Sequence, residues 1–373
     1  MRLVINTAHQ RFGGAVQVAL SFVEECKKFP EHEYHIWVGP GIQASLNKVN
    51  FPENFFFYEF NFGVINMKII PKIQKQLAKL EKKIQPDCII STSGPSYFHS
   101  KAPQIIGFNL PLYIYPESPF VQGLSRKKKM KLAVKKRIHY YFFKRDATAY
   151  VVQTDDVNKR VKKALKTEKV HTVTNTFSGY YKNPLEFPNK LPPKKPGEIR
   201  LLTISAYYPH KDLEIIHKVV KELENRGIQC VKFVLTLKDK DFKNRLEAHE
   251  SVINIGPIPP EACPALYKEC DLMFLPTLAE CFSASYPEAM VMEKPIITTD
   301  LGFAKSICGN AAYYYKAKNE KAAADMIEML VLDPHLKIDL IERGHKRLEK
   351  FDSAEERANK YLVLCKMYGN KRI

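Results

Sequence analysis

The stretch Asp271–Pro295, DLMFLPTLAECFSASYPEAMVMEKP, opens with the apolar run Leu272-Met273-Phe274-Leu275, which Pro276 ends. Four apolar residues between breakers read as a buried strand. A short loop then carries Glu280, and a helix predicted from about Tyr286 to Glu293 carries Glu288. In parallel α/β sheets ligands collect at the carboxyl ends of strands, where helix N-termini offer free N–H groups and a positive dipole end to phosphate or sugar oxygens. Nothing structural calls for an acid at Glu280, directly after a buried strand. Glu288 has a plainer reading beside the functional one: Ser285 and Glu288 have the spacing of a capping box, which satisfies orphan N–H groups of the helix.

Outward from this stretch, strand-like and helix-like segments alternate. Upstream lie strands at Leu201–Ile204, Val231–Leu235 and Val252–Ile255 and helices at Leu213–Arg226, Phe242–His249 and Glu261–Glu269; downstream a strand follows at Ile296–Thr299. The first half repeats the pattern, with strands at Leu3–Ile5, His35–Val38, Phe55–Phe60, Cys88–Ser91, Ile105–Phe108, Ala149–Val152 and Val170–Val173, and helices at Ala15–Cys26, Met67–Ile84 and Asp155–Leu165. Apolar strands alternating with helices predict α/β domains with doubly wound parallel sheets. Between Tyr181 and Glu198 the pattern stops in KNPLEFPNKLPPKKPGE, whose five prolines read as a linker. The expected layout is a Rossmann-like domain over 1–182, a linker over 183–198, a second Rossmann-like domain over 199–350, and a C-terminal helix over 351–373 that returns to the first domain. The two domains are expected to face one another across a cleft.

At 373 residues the chain fits two ordinary domains, and 45% hydrophobic with 26% charged residues is a globular composition. No run approaches the ~20 apolar residues of a spanning helix. MRLVINTAHQ reads as a first strand rather than a signal peptide, so a cytoplasmic protein is expected. Eight cysteines without a C-x-x-C pair suit reduced thiols, and no metal is assigned. The net charge of +18 is concentrated: ten excess positive charges lie in Ser125–Arg145, SRKKKMKLAVKKRIHYYFFKR, which has no Asp or Glu.

Pro276, Glu280-Cys-Phe-Ser283, Pro287-Glu288-Ala-Met290, Lys294-Pro-Ile-Ile297 and Thr299-Asp300 resemble, in order and spacing, the signature of glycosyltransferase family 4. These are retaining, nucleotide-sugar-dependent enzymes with two Rossmann-like domains, the B-type architecture. The resemblance extends to Gly256-Pro-Ile258, Leu266-Tyr267, Asp271, Gly309-Asn-Ala-Ala312, Val151-Val-Gln-Thr154 and Thr174-Asn-Thr176. It covers nearly the whole chain and is densest over 200–315.

The resemblance implies that Glu280 meets hydroxyls of the donor sugar and Glu288 the ribose hydroxyls of the nucleotide. An ionised carboxylate accepts such bonds strongly. Backbone N–H groups of Cys281, Phe282 and Ser283 are then expected at the sugar or phosphates, and Cys281 and Ser283, where many members have glycines, narrow the pocket. Lys211, in Ser205-Ala-Tyr-Tyr-Pro-His-Lys211, becomes the lysine that neutralises the leaving nucleotide; as sequence alone it is an ordinary first-turn lysine. Members usually carry an arginine where this chain has Ala206. Ser205 and Ile258 complete the expected donor contacts with Gly13 and Gly14, a strand-to-helix glycine pair that lets backbone approach a ligand. A G-x-G-x-x-G motif and a Walker lysine motif are both absent, which disfavours a nicotinamide or flavin dehydrogenase and a nucleoside triphosphatase. Where members often have a histidine after a first-domain strand this chain has Asn109, which takes the third catalytic assignment beside Glu280 and Lys211. Glu117 and His99 are the titratable fallbacks, His99 reading rather as structural.

Within Ser125–Arg145, Met130, Val134, Ile138 and Phe142 recur at i, i+4 spacing with basic residues around them, the pattern of a basic amphipathic helix. Lys127, Lys128, Lys129, Lys135, Lys136 and Arg137 are expected to face an anionic membrane. The plain alternative is a solvated helix packed on its own domain. The expected function is transfer of a sugar from a nucleotide diphosphate sugar, without a further cofactor, to a saccharide acceptor, lipid-linked, at the inner face of the plasma membrane. Capsular, O-antigen or related surface polysaccharides are built by such enzymes. Two other classes fit parts of the sequence: a non-catalytic family member serving as partner or scaffold, favoured by Ala206 and Asn109, and a basic nucleic-acid-binding protein, although no nucleic-acid module accompanies the charge.

Overall fold

The structure, a computed structural model, describes residues 1–11 and 13–369. The chain divides into two compact units: one comprises 1–114, 125–175 and 352 onward, the other 115–124 and 176–351.

The first unit is built on seven strands: β1 (Arg2–Asn6), β2 (Glu33–Val38), β3 (Phe55–Glu59), β4 (Cys88–Ser91), β5 (Gln104–Gly107), β6 (Ala149–Val152) and β7 (Val170–Thr172). They lie in the order β3-β2-β1-β4-β5-β6-β7. Every pairing is parallel; β1, for instance, sets Val4 opposite His35 of β2 and Ile89 of β4. A sheet covered on both faces needs apolar residues on both sides of each strand. Accordingly Leu3 and Ile5 join a core with Ala19, Phe22 and Val23 of helix Gly14–Glu25, while Val4 joins a separate one with Ile73 and Leu77 of helix Ile70–Ile84. The first of these cores also takes Ala358, Tyr361, Leu362 and Cys365 from the last helix, Ala354–Gly369. The end of β5 comes so close to its neighbour that a Cβ on Gly107 would stand 2.1 Å from the Thr92 carbonyl oxygen.

The second unit repeats the plan with β8 (Ile199–Thr203), β9 (Val231–Leu235), β10 (Val252–Asn254), β11 (Leu272–Leu275), β12 (Ile296–Thr299) and β13 (Tyr313–Tyr315) in the order β10-β9-β8-β11-β12-β13, again all parallel. Helices Ile215–Asn225 and Glu320–Leu332 cover one face, with Val219, Leu223, Ala324 and Ile327 against Phe233 and Phe274. Helix Ser285–Val291 packs against helix Pro334–Leu348, Met290 meeting the bare backbone of Gly344.

Each sheet therefore has a point where the strand order reverses, between β1 and β4 in the first and between β8 and β11 in the second. In folds of this kind ligands sit at such a point, beyond the carboxyl ends of the strands. Among the described residues no helix is long and apolar enough to cross a membrane.

Several elements differ from the sequence expectation. The helix expected from Met67 begins at Ile70, because the Asn66 side chain and carbonyl take the N–H groups of Lys68 and Ile69 and Pro71 fits the first turn. The helix expected over Phe242–His249 runs Asp239–Arg245, with its acids in the first turn and Lys243 and Arg245 in the last, as the helix dipole favours. Helix Gly302–Cys308 and strand β13 were not anticipated.

Candidate functional site

Two loops leave the second sheet at its reversal point. The one after β8 runs from Ser205 to a single 3-10 turn, Pro209–Lys211. Ser205 donates its backbone N–H to Thr236 Oγ1 at 3.1 Å and its hydroxyl to the Ala206 carbonyl. The loop after β11 carries Thr277 to Ser283. Backbone joins the two: Leu278 N–H donates to the His210 carbonyl at 2.7 Å. The Leu278 carbonyl in turn accepts from Ser118 Oγ at 2.7 Å.

This stitching brings Lys211 and Glu280 into an ion pair in which each side chain keeps 13% of its surface exposed. Thr277, with no exposed surface, donates its hydroxyl to Glu280 Oε1 at 3.1 Å, while its own carbonyl accepts from Thr299 Oγ1 at 2.7 Å. Glu280 is thus held from both sides, by charge and by a buried hydroxyl. Beside it the His210 ring stacks on Tyr208 and meets Phe120 edge-on. Burial pushes His210 below its ordinary value; the nearby Glu280 pulls upward and Lys211 downward. It stays neutral at pH 7 and does not supply the positive charge missing at Ala206.

Glu288 lies one turn into helix Ser285–Val291, whose N-cap is Ala284 without a side-chain cap. The capping box expected of Ser285 and Glu288 therefore does not form: Ser285 is already helical, and Glu288 N–H bonds to the Ala284 carbonyl at 2.9 Å. The carboxyl turns instead to the Tyr181 hydroxyl. Burial pushes it up to about 7, the Tyr181 hydrogen bond holding it back. Tyr181 and Tyr267 meet edge-on at 5.9 Å, and burial together with Glu288 pushes the Cys263 thiol up to about 12.

Cys281 and Ser283 are buried, so the loop between the two acids is packed by its side chains, and Phe282 sets its ring edge-on to Phe351 at 6.0 Å. Ile258 follows β10, two strands from β8, apart from the ion pair.

Gly13, Gly14 and Asn109 belong to the first unit. Gly13 has φ of +86°, a value that favours glycine, and helix Gly14–Glu25 starts behind it with no side-chain cap. A Cβ on Gly14 would meet nothing within 4 Å. Gln10 Nε2 donates to Thr92 Oγ1 at 2.9 Å, bridging the loops after β1 and β4 at the reversal point. Asn109 Oδ1 accepts from Ser93 Oγ at 3.1 Å, and Ser93 backbone also bonds His9, which burial pushes down to about 4. His99 bonds the Arg145 carbonyl at 2.8 Å, a structural role.

Of the six basic residues expected at a membrane, Lys127, Lys128, Lys129, Lys135 and Arg137 stand exposed on helix Arg126–Asp146. Lys136 is half-buried over the Tyr140 ring at 5.2 Å, and burial lowers its ordinary value. Phe142 and Phe143 anchor the end of this helix in its own unit.

Sequence reasoning missed Thr277, Tyr181 and His9. Thr277 sits in the quoted stretch and could have been found as the first polar residue past Pro276. Tyr181 and His9 carry no local signal, since only the fold brings them to Glu288 and to Ser93.

Residues 187–347 match the family model of glycosyl transferases group 1. The O-antigen chain mannosyltransferase of Salmonella typhimurium is 23% identical over 243 residues, 64% of this chain and 63% of that protein. The chain thus aligns with less than two thirds of that relative's length. A glycosyltransferase from Rickettsia africae superposes with a TM-score of 0.70 at 17% identity, covering 100% of this chain and 99% of that one. An Anabaena protein, HepE, solved with UDP and glucose, gives 0.67 at 14% identity over 97% and 99%. At such identities the two structures speak for the fold, two parallel α/β domains of the B-type glycosyltransferase architecture.

Proposed function

We propose that this protein, whose residues 187–347 match the family model of glycosyl transferases group 1, moves a sugar from a nucleotide diphosphate sugar to a saccharide acceptor, lipid-linked, during assembly of a surface polysaccharide of the O-antigen type. The finer assignment is to the retaining enzymes of family 4. The observation that carries the reading is the half-buried Lys211–Glu280 pair at the reversal point of the second sheet, with Glu288 eight residues on.

The chemistry follows from charge. A diphosphate reaching Lys211 takes over the lysine's charge and leaves the Glu280 oxygens to accept from sugar hydroxyls, while Thr277 keeps the carboxylate aimed. As the glycosidic bond breaks, negative charge grows on the leaving nucleotide, and Lys211 stabilises it in a partly dry setting where a charge counts for more than in water. Glu288 takes the ribose hydroxyls best when ionised. No general base is assigned on the protein: the leaving phosphate takes the acceptor's proton. Exposed Lys127, Lys128, Lys129, Lys135 and Arg137 bring the protein to an anionic leaflet at ~1 kcal/mol each.

The test is Glu280→Ala. A nucleotide diphosphate sugar that raises the melting temperature of the native protein identifies the donor. With that donor, the variant should lose sugar transfer and donor hydrolysis by about 100-fold or more; undiminished turnover would remove Glu280 from the site.

A further inference from the structure

The basic helix does more than display charge. Met130, Val134 and Ile138 form one wall of a groove of about 470 Å³ whose opposite wall, Ile65 and Met67, comes from the segment before helix Ile70–Ile84. The volume is that of a small-molecule site. The walls are apolar yet open to solvent: Met130 keeps 65% of its surface exposed, Met67 63% and Val134 51%. Bare apolar walls of this kind mark a binding surface.

The charge around the groove has one sign. Neither 61–72 nor 125–145 contains an Asp or Glu, and Lys131 and Lys135 line the groove itself. Its lining also includes Tyr97 and His139, and the two ring nitrogens of His139 share hydrogen bonds with the Tyr97 and Tyr113 hydroxyls at 3.2 and 3.1 Å. Tyr97 is held there at φ +55°, a left-handed conformation that a non-glycine residue keeps where its surroundings impose it.

An apolar trough bordered by lysines complements a hydrocarbon chain that ends in an anion. We propose that this groove binds the chain of the lipid phosphate carrying the acceptor saccharide, with Lys131 and Lys135 on the phosphate and the hydrocarbon between Met67 and Val134. The assignment of the lipid as acceptor carrier rests on the transferase reading above; the groove does not.

Calorimetric titration of the full chain with decyl phosphate below its micellar concentration, beside decanol, inorganic phosphate and monodecanoyl-phosphatidylglycerol, tests this. Decyl phosphate should bind one site at least tenfold more tightly than the other three. Val134→Asp and Met67→Asp, both at exposed positions, should each weaken it tenfold or more. Lys131→Ser with Lys135→Ser should weaken decyl phosphate while leaving decanol unchanged. The proposal is overturned if decyl phosphate does not bind, if both aspartate variants bind it normally, or if inorganic phosphate or decanol matches it. Equal binding of the phosphatidylglycerol overturns the carrier in favour of bulk phospholipid. The thermal shift given by the donor nucleotide sugar separates the two readings. A normal shift without decyl phosphate binding refutes the groove alone, whereas groove binding without any donor shift refutes the transferase reading and the acceptor role with it.

Discussion

The Thr277 hydroxyl is fully buried and aimed at Glu280, so its contribution is measurable without replacing an acid of the proposed donor site. Thr277→Val keeps the shape and removes one hydrogen bond worth ~1 kcal/mol, so kcat should fall by about five- to tenfold while the melting temperature moves little. Glu288 predicts a pH dependence. Its carboxyl stands at about 7 in the folded protein against an ordinary 4.5. Between those values the folded state holds a proton that the unfolded state has lost, so stability is full below about pH 4.5 and declines as the pH rises to 7, by up to ~3 kcal/mol. Glu288→Gln should abolish that decline, leaving the variant more stable than the parent at pH 8 by urea denaturation. Nucleotide affinity should run the other way in the parent, rising several-fold through pH 7 as the carboxylate forms, and stay flat in the variant. At this scale Glu280 and Glu288 stand out in the sequence because they flank a strand end, whereas the pairing of Glu280 with Lys211, far upstream, is visible only in the structure. It misassigned the Ser285–Glu288 contact, because the helix begins one residue earlier than a capping serine requires.

Among the elements, the strands were legible because a parallel strand buried on both faces leaves a short continuous apolar run, as at Leu272–Leu275. Strand β13 escaped because its three tyrosines leave two only partly buried and give no such run. Helix Gly302–Cys308 escaped because seven residues are too few to establish a period. Helix Arg126–Asp146 was legible in its basic character, but the groove beside it was not, since its second wall lies some sixty residues upstream. Replacing Lys127, Lys128, Lys129 and Lys135 by Gln should abolish sedimentation with anionic vesicles and leave the donor thermal shift intact, whereas adding Lys136→Gln should cost stability as well, because that side chain is packed on Tyr140.

At the level of the whole molecule, the first unit is discontinuous in sequence. Its last helix is secured by Arg357, 2% exposed, whose guanidinium bonds Asn175 and, at 2.7 Å, Ser21. Arg357→Met removes both bonds and leaves the buried Asn175 and the half-buried Ser21 without their guanidinium partner, an expected loss of ~2–4 kcal/mol. The single tryptophan, Trp37, is fully buried in this unit, so its fluorescence should report the lower urea midpoint directly. That two α/β units exist was readable from the restart of the strand-helix alternation after the proline-rich stretch. The membership of 115–124 in the second unit was not, because nothing in that segment's composition sets it apart.

The placement of helix Ala354–Gly369 in the core of the first unit also sets an order of events at birth. A ribosome releases residues from the N-terminus, so the strands of the first sheet emerge early with one face still lacking Ala358, Tyr361, Leu362 and Cys365. Most of the second unit is contiguous and is complete in the tunnel's wake before that helix appears. The first unit therefore closes its core only after that helix has emerged, behind the contiguous part of the second, and until then its open face must be kept from its neighbours by chaperones or by speed.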